Sequence, residues 1–190
     1  MRNHPLRRTV DLAIALAAAP VAVPLCLALM VLIRLESAGN PLFAQQRVGL
    51  HQRPFRIYKL RTMARDTGDR PSHEVSARSV TRVGRILRRT KLDELPQLWN
   101  IAKGEMTFVG PRPCLPSQAQ LIEERAARGL FDVVPGITGP AQIRNIDMAR
   151  PVLLAEVEEA YFHAATAWSD LAIVIRTLTG AGRGDAVENG

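Results

Sequence analysis

The chain has 190 residues, 47% of them hydrophobic, and a formal charge of +7, which is enough for one domain or for a compact domain plus an anchor, and too short for two full domains. The charge is local: residues 47–91 carry +10 and residues 114–190 carry −4, so the implied partner is a polyanion, whether nucleic acid, an anionic membrane surface or a phosphorylated small molecule. Cys26 and Cys114 show no CxxC or Cys/His spacing, which excludes a disulfide framework and a zinc-finger site.

From Leu12 to Ile33 the chain is apolar and without a charge, flanked by Arg7, Arg8 and Asp11 before it and by Arg34 and Glu36 after it. A straight helix of that length would measure about 33 Å, enough for a bilayer core of roughly 30 Å. Pro20 and Pro24 fall near its middle, and each lacks an N–H and crowds the carbonyl four residues back, so a bend is expected there. Three readings compete: a kinked span, a cleaved signal peptide, and a re-entrant helix-break-helix. The run exceeds a signal peptide's usual h-region, and span and hairpin stay open on the residues alone. Basic residues on both flanks suit a hairpin with both ends on the cytoplasmic face.

Beyond this segment, PLFAQQRVG and RPFRIYKLRTM predict two strands around a glycine-containing turn. Residues 66–76 are polar and loop-like. SVTRVGRILRRT predicts a short basic amphipathic helix with Val80, Val83, Ile86 and Leu87 on one face, suited to an anionic membrane interface. LDELPQLWNIAKGEM predicts a helix with Pro96 in its first turn and Gly104 near its end. VGPRPCLP and VPGITGPAQI read as loops, and PSQAQLIEERAARGL as a helix with an acidic, solvated side. Pro151 to Leu178 carries one or two helices, in which Trp168, Leu171, Val174, Ile175 and Leu178 form a stripe that is usually core and less often laid on lipid. The glycine-bearing end, residues 179–190, reads as a disordered tail.

Within LDELP, Asp93 and Glu94 have a structural explanation, since aspartate is a preferred N-cap and glutamate in the first turn opposes the helix dipole. They have a chemical one too. An ionised carboxylate held among arginines is a competent nucleophile and magnesium ligand. The two do not exclude each other. Lys59 and Arg61 in YKLRTM, Arg88 before the acids, and Arg112 in GPRP are taken singly as ordinary surface cations. Arg112 stands apart because two prolines fix its approach, and a guanidinium grips phosphate bidentately. His4, His51, His73 and His163 share no ligand spacing, and no GxSxG, P-loop or GxGxxG motif occurs. Basic residues beside two acids on an anchored unit are what joining a phosphorylated soluble substrate to a phosphorylated lipid requires.

These residues fall into ordered motifs. LRRTVD, SAGNPLFAQQRVG, FRIYKLRTM, TRVGRILRRTKLDELPQLWNIAKGEMTFVGPRP and PGITGPAQ resemble, in order and spacing, the bacterial sugar transferases, or monotopic phosphoglycosyl transferases, from about Arg7 to Gln142. The sequence looks like the minimal catalytic form, without the N-terminal transmembrane domain of larger relatives. The resemblance implies transfer of a sugar 1-phosphate from a UDP-sugar to polyprenyl (undecaprenyl) phosphate, initiating assembly of an exopolysaccharide, O-antigen or glycoprotein glycan. It implies Asp93 as nucleophile, Glu94 as ligand of Mg²⁺, and Lys59, Arg61, Arg88, Arg112 and Gln142 as substrate-binding residues. It also implies a re-entrant helix broken near Pro24, where Val23 stands in place of the serine common in relatives, at the cytoplasmic face of the bacterial inner membrane.

The expected fold is α+β and mostly helical: a re-entrant anchor over residues 1–36, a catalytic domain over residues 37–178 with a small β-hairpin and several amphipathic interfacial helices, and the tail. The expected partners are the UDP-sugar, polyprenyl phosphate, membrane lipid and a second copy of the chain, but not nucleic acid. A membrane-tethered nucleic-acid-binding protein and a non-catalytic scaffold of the same fold are the competing functions. Little aromatic interleaving in the basic run speaks against the first, and the intact acid pair and GPRP against the second.

Overall fold

A computed structural model describes residues 5–64 and 79–182. The expected loop at 66–76 and most of the expected tail lie outside the described residues. The protein is mostly helical, with a small β-hairpin and a long apolar N-terminal helix.

That first helix, α1, runs from Pro5 to Glu36 with Pro20 and Pro24 inside it. The break expected near Pro24 is not a gap in the helix. A proline leaves one carbonyl unpartnered and bends a helix without ending it where good helix formers flank it. Most of its large apolar side chains face outward, among them Val21, Val23, Leu27 and Val31, and only Asp11, Ala15, Ala22 and Ile33 are buried.

Both ends of α1 are fastened to the rest of the protein. At the start, Arg8 donates to the carbonyls of Ile101 and Ala102 and Arg7 to that of Val109, while Thr107 Oγ1 donates to the Asp11 carboxylate at 2.5 Å. At the finish, Ile33 packs with Leu60 and Leu87. There Glu36 accepts from the backbone N–H groups of Arg82 (2.7 Å) and Val83 (3.1 Å), placing a carboxylate at the positive end of the next helix.

The predicted hairpin is present as β1 (Leu42–Val48) and β2 (Pro54–Leu60), antiparallel, with Leu42 opposite Leu60 and Val48 opposite Pro54. Helix α2 (Arg82–Thr90) follows, capped by Thr81 Oγ1 accepting from Gly84 N at 2.9 Å. Its Leu87 is buried while the neighbouring Ile86 is exposed, so the four apolar residues predicted for one face divide between core and surface. An α-carbon substituent on Gly84 would lie 2.1 Å from the Thr62 carbonyl oxygen, and only glycine permits this approach of helix to strand end.

The LDELP stretch does not begin one continuous helix. Residues Leu92–Glu94 form a single 3-10 turn, and α3 (Gln97–Lys103) starts after Pro96 and ends at Gly104 in the left-handed region, φ 83°. Fully buried Asn100 ties α3 to β2: its amide nitrogen donates to the Arg56 carbonyl at 2.7 Å, and its oxygen accepts from Tyr58 N at 3.2 Å.

Two short strands lie in or beside segments expected as loops, one running into VGPRPCLP and the other within VPGITGPAQI. β3 (Thr107–Val109) and β4 (Gly136–Thr138) pair in parallel, Thr107 with Gly136 and Val109 with Thr138. Three residues between prolines and glycines are too few for a periodic signal.

Helices α4 (Ala119–Ala127), α5 (Pro151–Ala164) and α6 (Ala167–Leu178) complete the domain. Cys114, Leu121, Phe131 and Leu154 make one core cluster, and Val109, Ile143 and Ile173 another. Thr166 restarts the chain as α6 through a capping box with Ser169. Most of the α6 stripe is not core: Trp168 and Leu178 are 80% and 82% exposed, and Leu171 and Ile175 about half exposed, while Val174 packs beside Ile173, the residue turned fully inward.

Candidate functional site

The segment from Arg88 to Glu94 turns twice in seven residues. Lys91 sits in the left-handed region, φ 58°, where its N–H closes the end of α2 on the carbonyls of Leu87 and Arg88. The 3-10 turn then brings Asp93 and Glu94 against β2 and the loop after β3. The cap positions of the turn and of α3 belong to Lys91 and Pro96. Asp93 therefore caps neither, although it is buried.

Glu94 Oε1 accepts from Lys59 Nζ at 3.1 Å and from Arg112 Nη2 at 2.9 Å. Lys59 comes from β2 and Arg112 from the GPRP loop, so one carboxylate joins two elements remote in sequence. The loop is itself pinned. Arg125, buried with Glu158, donates to the Arg112 carbonyl at 2.8 Å, and Arg47 donates to the Pro113 carbonyl at 3.2 Å.

Asp93 and Glu94 open onto a cleft of about 390 Å³, including the part open to solvent, lined also by Arg88, Lys91, Arg112, Thr138, Gln142 and Thr177. Arg88 Nε donates to Thr62 Oγ1 at 2.9 Å, while its Nη1 is buried with no hydrogen-bond partner among the described residues. A guanidinium nitrogen in that position is costly unless an anion completes it. Burial pulls the Lys91 ammonium below its ordinary range, with Glu94 opposing the shift and Arg112 adding to it.

Of the residues selected from sequence, Asp93, Glu94, Arg88, Arg112 and Gln142 line the cleft, and Lys59 reaches its edge through Glu94. Arg61 is placed elsewhere, donating from Nη2 to the carbonyl and hydroxyl of Ser37 at 2.7 Å and from Nη1 to the Ala38 carbonyl at 2.9 Å. It holds the exit of α1 against β2. Lys91, Thr138, Thr177 and Gly182 line the cleft without having been selected. Residues 179–182, assigned from sequence to a tail, fold back onto it, with Lys91 Nζ donating to the Ala181 carbonyl at 2.9 Å.

A magnesium ion needs one or two carboxylates, with water and substrate phosphate completing its shell. The adjacent acids Asp93 and Glu94 fit that demand. No cluster of three or more acidic, histidine or cysteine ligands occurs among the described residues, so an all-protein cage is not what this site offers.

A carboxylate dyad ringed by cations, on a domain fastened to a long apolar helix, matches what comparison with known proteins finds: the chain belongs to the bacterial sugar transferase family, whose sequence model matches residues 2–183. It is 40% identical over 185 residues to a UDP-glucose:undecaprenyl-phosphate glucose-1-phosphate transferase of Caulobacter vibrioides, covering 90% of this chain and 68% of that one. A UDP-N-acetylgalactosamine-undecaprenyl-phosphate N-acetylgalactosaminephosphotransferase of Aeromonas hydrophila is 37% identical over 190 residues, covering 91% of this chain and 43% of that one. An undecaprenyl-phosphate glucose phosphotransferase of Komagataeibacter xylinus is 37% identical over 188 residues, covering 90% of this chain and 34% of that one. The chain thus spans about two thirds of the first relative and less than half of the other two.

Proposed function

We propose that the protein is a phosphoglycosyl transferase that moves a sugar 1-phosphate from a UDP-sugar to undecaprenyl phosphate through an aspartyl phosphosugar, beginning glycan assembly at the cytoplasmic face of the inner membrane. One observation carries this most: Asp93 is buried in a cation-lined cleft yet caps no helix, beside Glu94 that two cations already hold.

Asp93 attacks the sugar-bearing phosphorus through a carboxylate oxygen, and the bond from that phosphorus to the bridging oxygen breaks, releasing UMP. The lipid phosphate then attacks the same phosphorus through an oxygen, the acyl phosphate bond breaks, and the Asp93 carboxylate is regenerated. Arg88 and Arg112 are fixed donors for charge on the transferred phosphoryl group, needing little reorganisation because Thr62 and the pinned GPRP loop already hold them. Glu94 would hold magnesium, which when bound neutralises the diphosphate and makes UMP a tolerable leaving group. Two displacements spare the site from binding two bulky anions at once.

The anchoring of α1 at both ends favours the re-entrant arrangement. From Asp11 to Glu36 a straight helix would run about 37 Å, and a spanning helix would carry its two ends to opposite leaflets. Arg8 and Glu36 grip the same domain instead, an arrangement that a bend at Pro20 and Pro24 with both ends on one face would satisfy. The outward apolar side chains of α1 then lie in lipid, where they cost nothing to expose.

The test is a burst. Protein in nanodiscs, given UDP-sugar and Mg²⁺ without acceptor, should release UMP up to about one per active site and gain the mass of a phosphosugar, which undecaprenyl phosphate discharges. No UMP from any UDP-sugar, with acceptor present, would defeat the transferase itself.

A further inference from the structure

The cleft has two walls of different hydrogen-bonding character. Arg88, Lys91 and Arg112, with the two acids, make a charged wall; Thr138, Gln142 and Thr177 make an uncharged one. The two hydroxyl hydrogens of the uncharged wall are spent inside the protein, as is one of the two Gln142 amide hydrogens. Thr177 Oγ1 donates to the Ile173 carbonyl at 2.8 Å, so in the 2.7 Å contact between the two threonine hydroxyls the donor is Thr138. Gln142 Nε2 donates to the Ile137 carbonyl at 3.1 Å, and Gln142 Oε1 is buried with no partner among the described residues. What remains is a mixed wall: lone pairs on the threonine oxygens, the second Gln142 amide hydrogen, and a Gln142 Oε1 whose burial without a partner among the described residues carries a cost.

Phosphate oxygens only accept and could use no more than the single amide hydrogen of such a wall, whereas a hydroxyl both donates and accepts. Uracil offers a single N–H between two carbonyls, and the two ribose hydroxyls of the nucleoside lie beyond the α-phosphate from the phosphorus that Asp93 attacks. A sugar offers a donor at every hydroxyl, and it is joined through one oxygen to the phosphorus that Asp93 attacks, so it must lie in this cleft. Resting on the transferase reading, we propose that Thr138, Gln142 and Thr177 form the subsite for hydroxyl groups of the transferred sugar, with Thr177 setting which sugar is preferred. Lys91 ties the two walls together, since its ammonium donates to the carbonyls of Thr177 (3.4 Å) and Ala181 (2.9 Å). The end of α6 is thereby a wall of the site.

The experiment compares kcat/KM for UDP-glucose, UDP-galactose and their N-acetyl counterparts, with undecaprenyl phosphate in nanodiscs, alongside inhibition by UMP, which carries no sugar. Thr177→Val keeps the branched shape and removes the oxygen; it should lower the preference for the best sugar over its C4 epimer about tenfold. Thr177→Ser should retain the preference within about twofold, and UMP inhibition should not change in either variant. Thr138→Val gives the same comparison should Thr177→Val fail to fold. Equal losses on every sugar, an unaltered preference, or a shift in UMP inhibition would overturn the subsite, the last assigning the wall to the nucleoside. Wild-type protein inactive on every UDP-sugar would instead remove the transferase reading on which the subsite rests.

Discussion

Arg125 and Glu158 meet in the interior through two hydrogen bonds of 2.8 and 2.7 Å, and the remaining guanidinium nitrogen of Arg125 donates to the backbone carbonyl of Arg112 at 2.8 Å. Each side chain is 2% exposed. A buried ion pair is seldom more stabilising than apolar residues of the same size, whereas removing one partner strands a charge. Its contribution here is to aim Arg112, whose guanidinium holds Glu94 at 2.9 Å.

Glu158→Ala should therefore destabilise the protein by about 3–5 kcal/mol in urea unfolding in detergent. The double change Arg125→Met with Glu158→Leu should recover most of that stability. It should still release UMP more slowly than wild type, because the Arg112 carbonyl has lost its donor. Full activity in the double variant would show that the loop needs no such support.

The close approach of α2 to Thr62 gives a second outcome. Gly84→Ala would place a methyl group 2.1 Å from the Thr62 oxygen, so α2 must shift, at about 1–3 kcal/mol for overpacking. Arg88 rides on α2 and is oriented by Thr62. KM for the UDP-sugar should rise with the loss of stability; a variant with wild-type KM and melting temperature would mean that the contact relaxes without cost.

Topology is tested by labelling. In a background lacking Cys26 and Cys114, single cysteines at Leu6 and Ala38, both exposed, should react with a membrane-impermeant maleimide from the same side of oriented vesicles. Replacing Pro20 and Pro24 by leucine removes the residues that would bend the helix and should separate the two labels. Labels on opposite sides in the unmodified helix would establish a span.

Much of this was legible in the sequence. The hairpin, most of the helices and the long apolar first helix followed from periodicity and from prolines and glycines, and the motifs carried the family. What escaped needed three dimensions. β3 and β4 are too short to be periodic, and their pairing depends on Gly110 and Gly136 approaching so closely that a Cβ on Gly136 would lie 2.0 Å from Gly110 N. Arg61 differs from Lys59 only in which way it leaves the strand end, a matter of two residues that sends one side chain to Glu94 and the other to Ser37. The α6 stripe has the spacing of a core face, and spacing cannot say whether lipid or protein covers it. Thr177 and Gly182 reach the cleft because Ile173 packs α6 onto Val109 and Ile143 and Lys91 holds the returning chain, contacts remote in sequence.

The most direct test falls on the two acids. Asp93 occupies no cap position, and asparagine keeps its size, so Asp93→Asn should change stability by less than the ~1 kcal/mol typical of losing a cap. It removes the anionic oxygen that must bond to phosphorus, so turnover should fall by several orders of magnitude, with no covalent phosphosugar detected by mass spectrometry. Glu94→Gln weakens the hold on Lys59 and Arg112 and removes a candidate magnesium ligand without removing the bond-forming atom. Its activity should fall too, but should recover in part as Mg²⁺ is raised, while that of Asp93→Asn should not. An Asp93→Asn protein turning over at a near-normal rate would eliminate the nucleophile. Wild-type protein that releases UMP only once undecaprenyl phosphate is added would leave both acids in a single displacement, in which the lipid phosphate attacks the UDP-sugar directly.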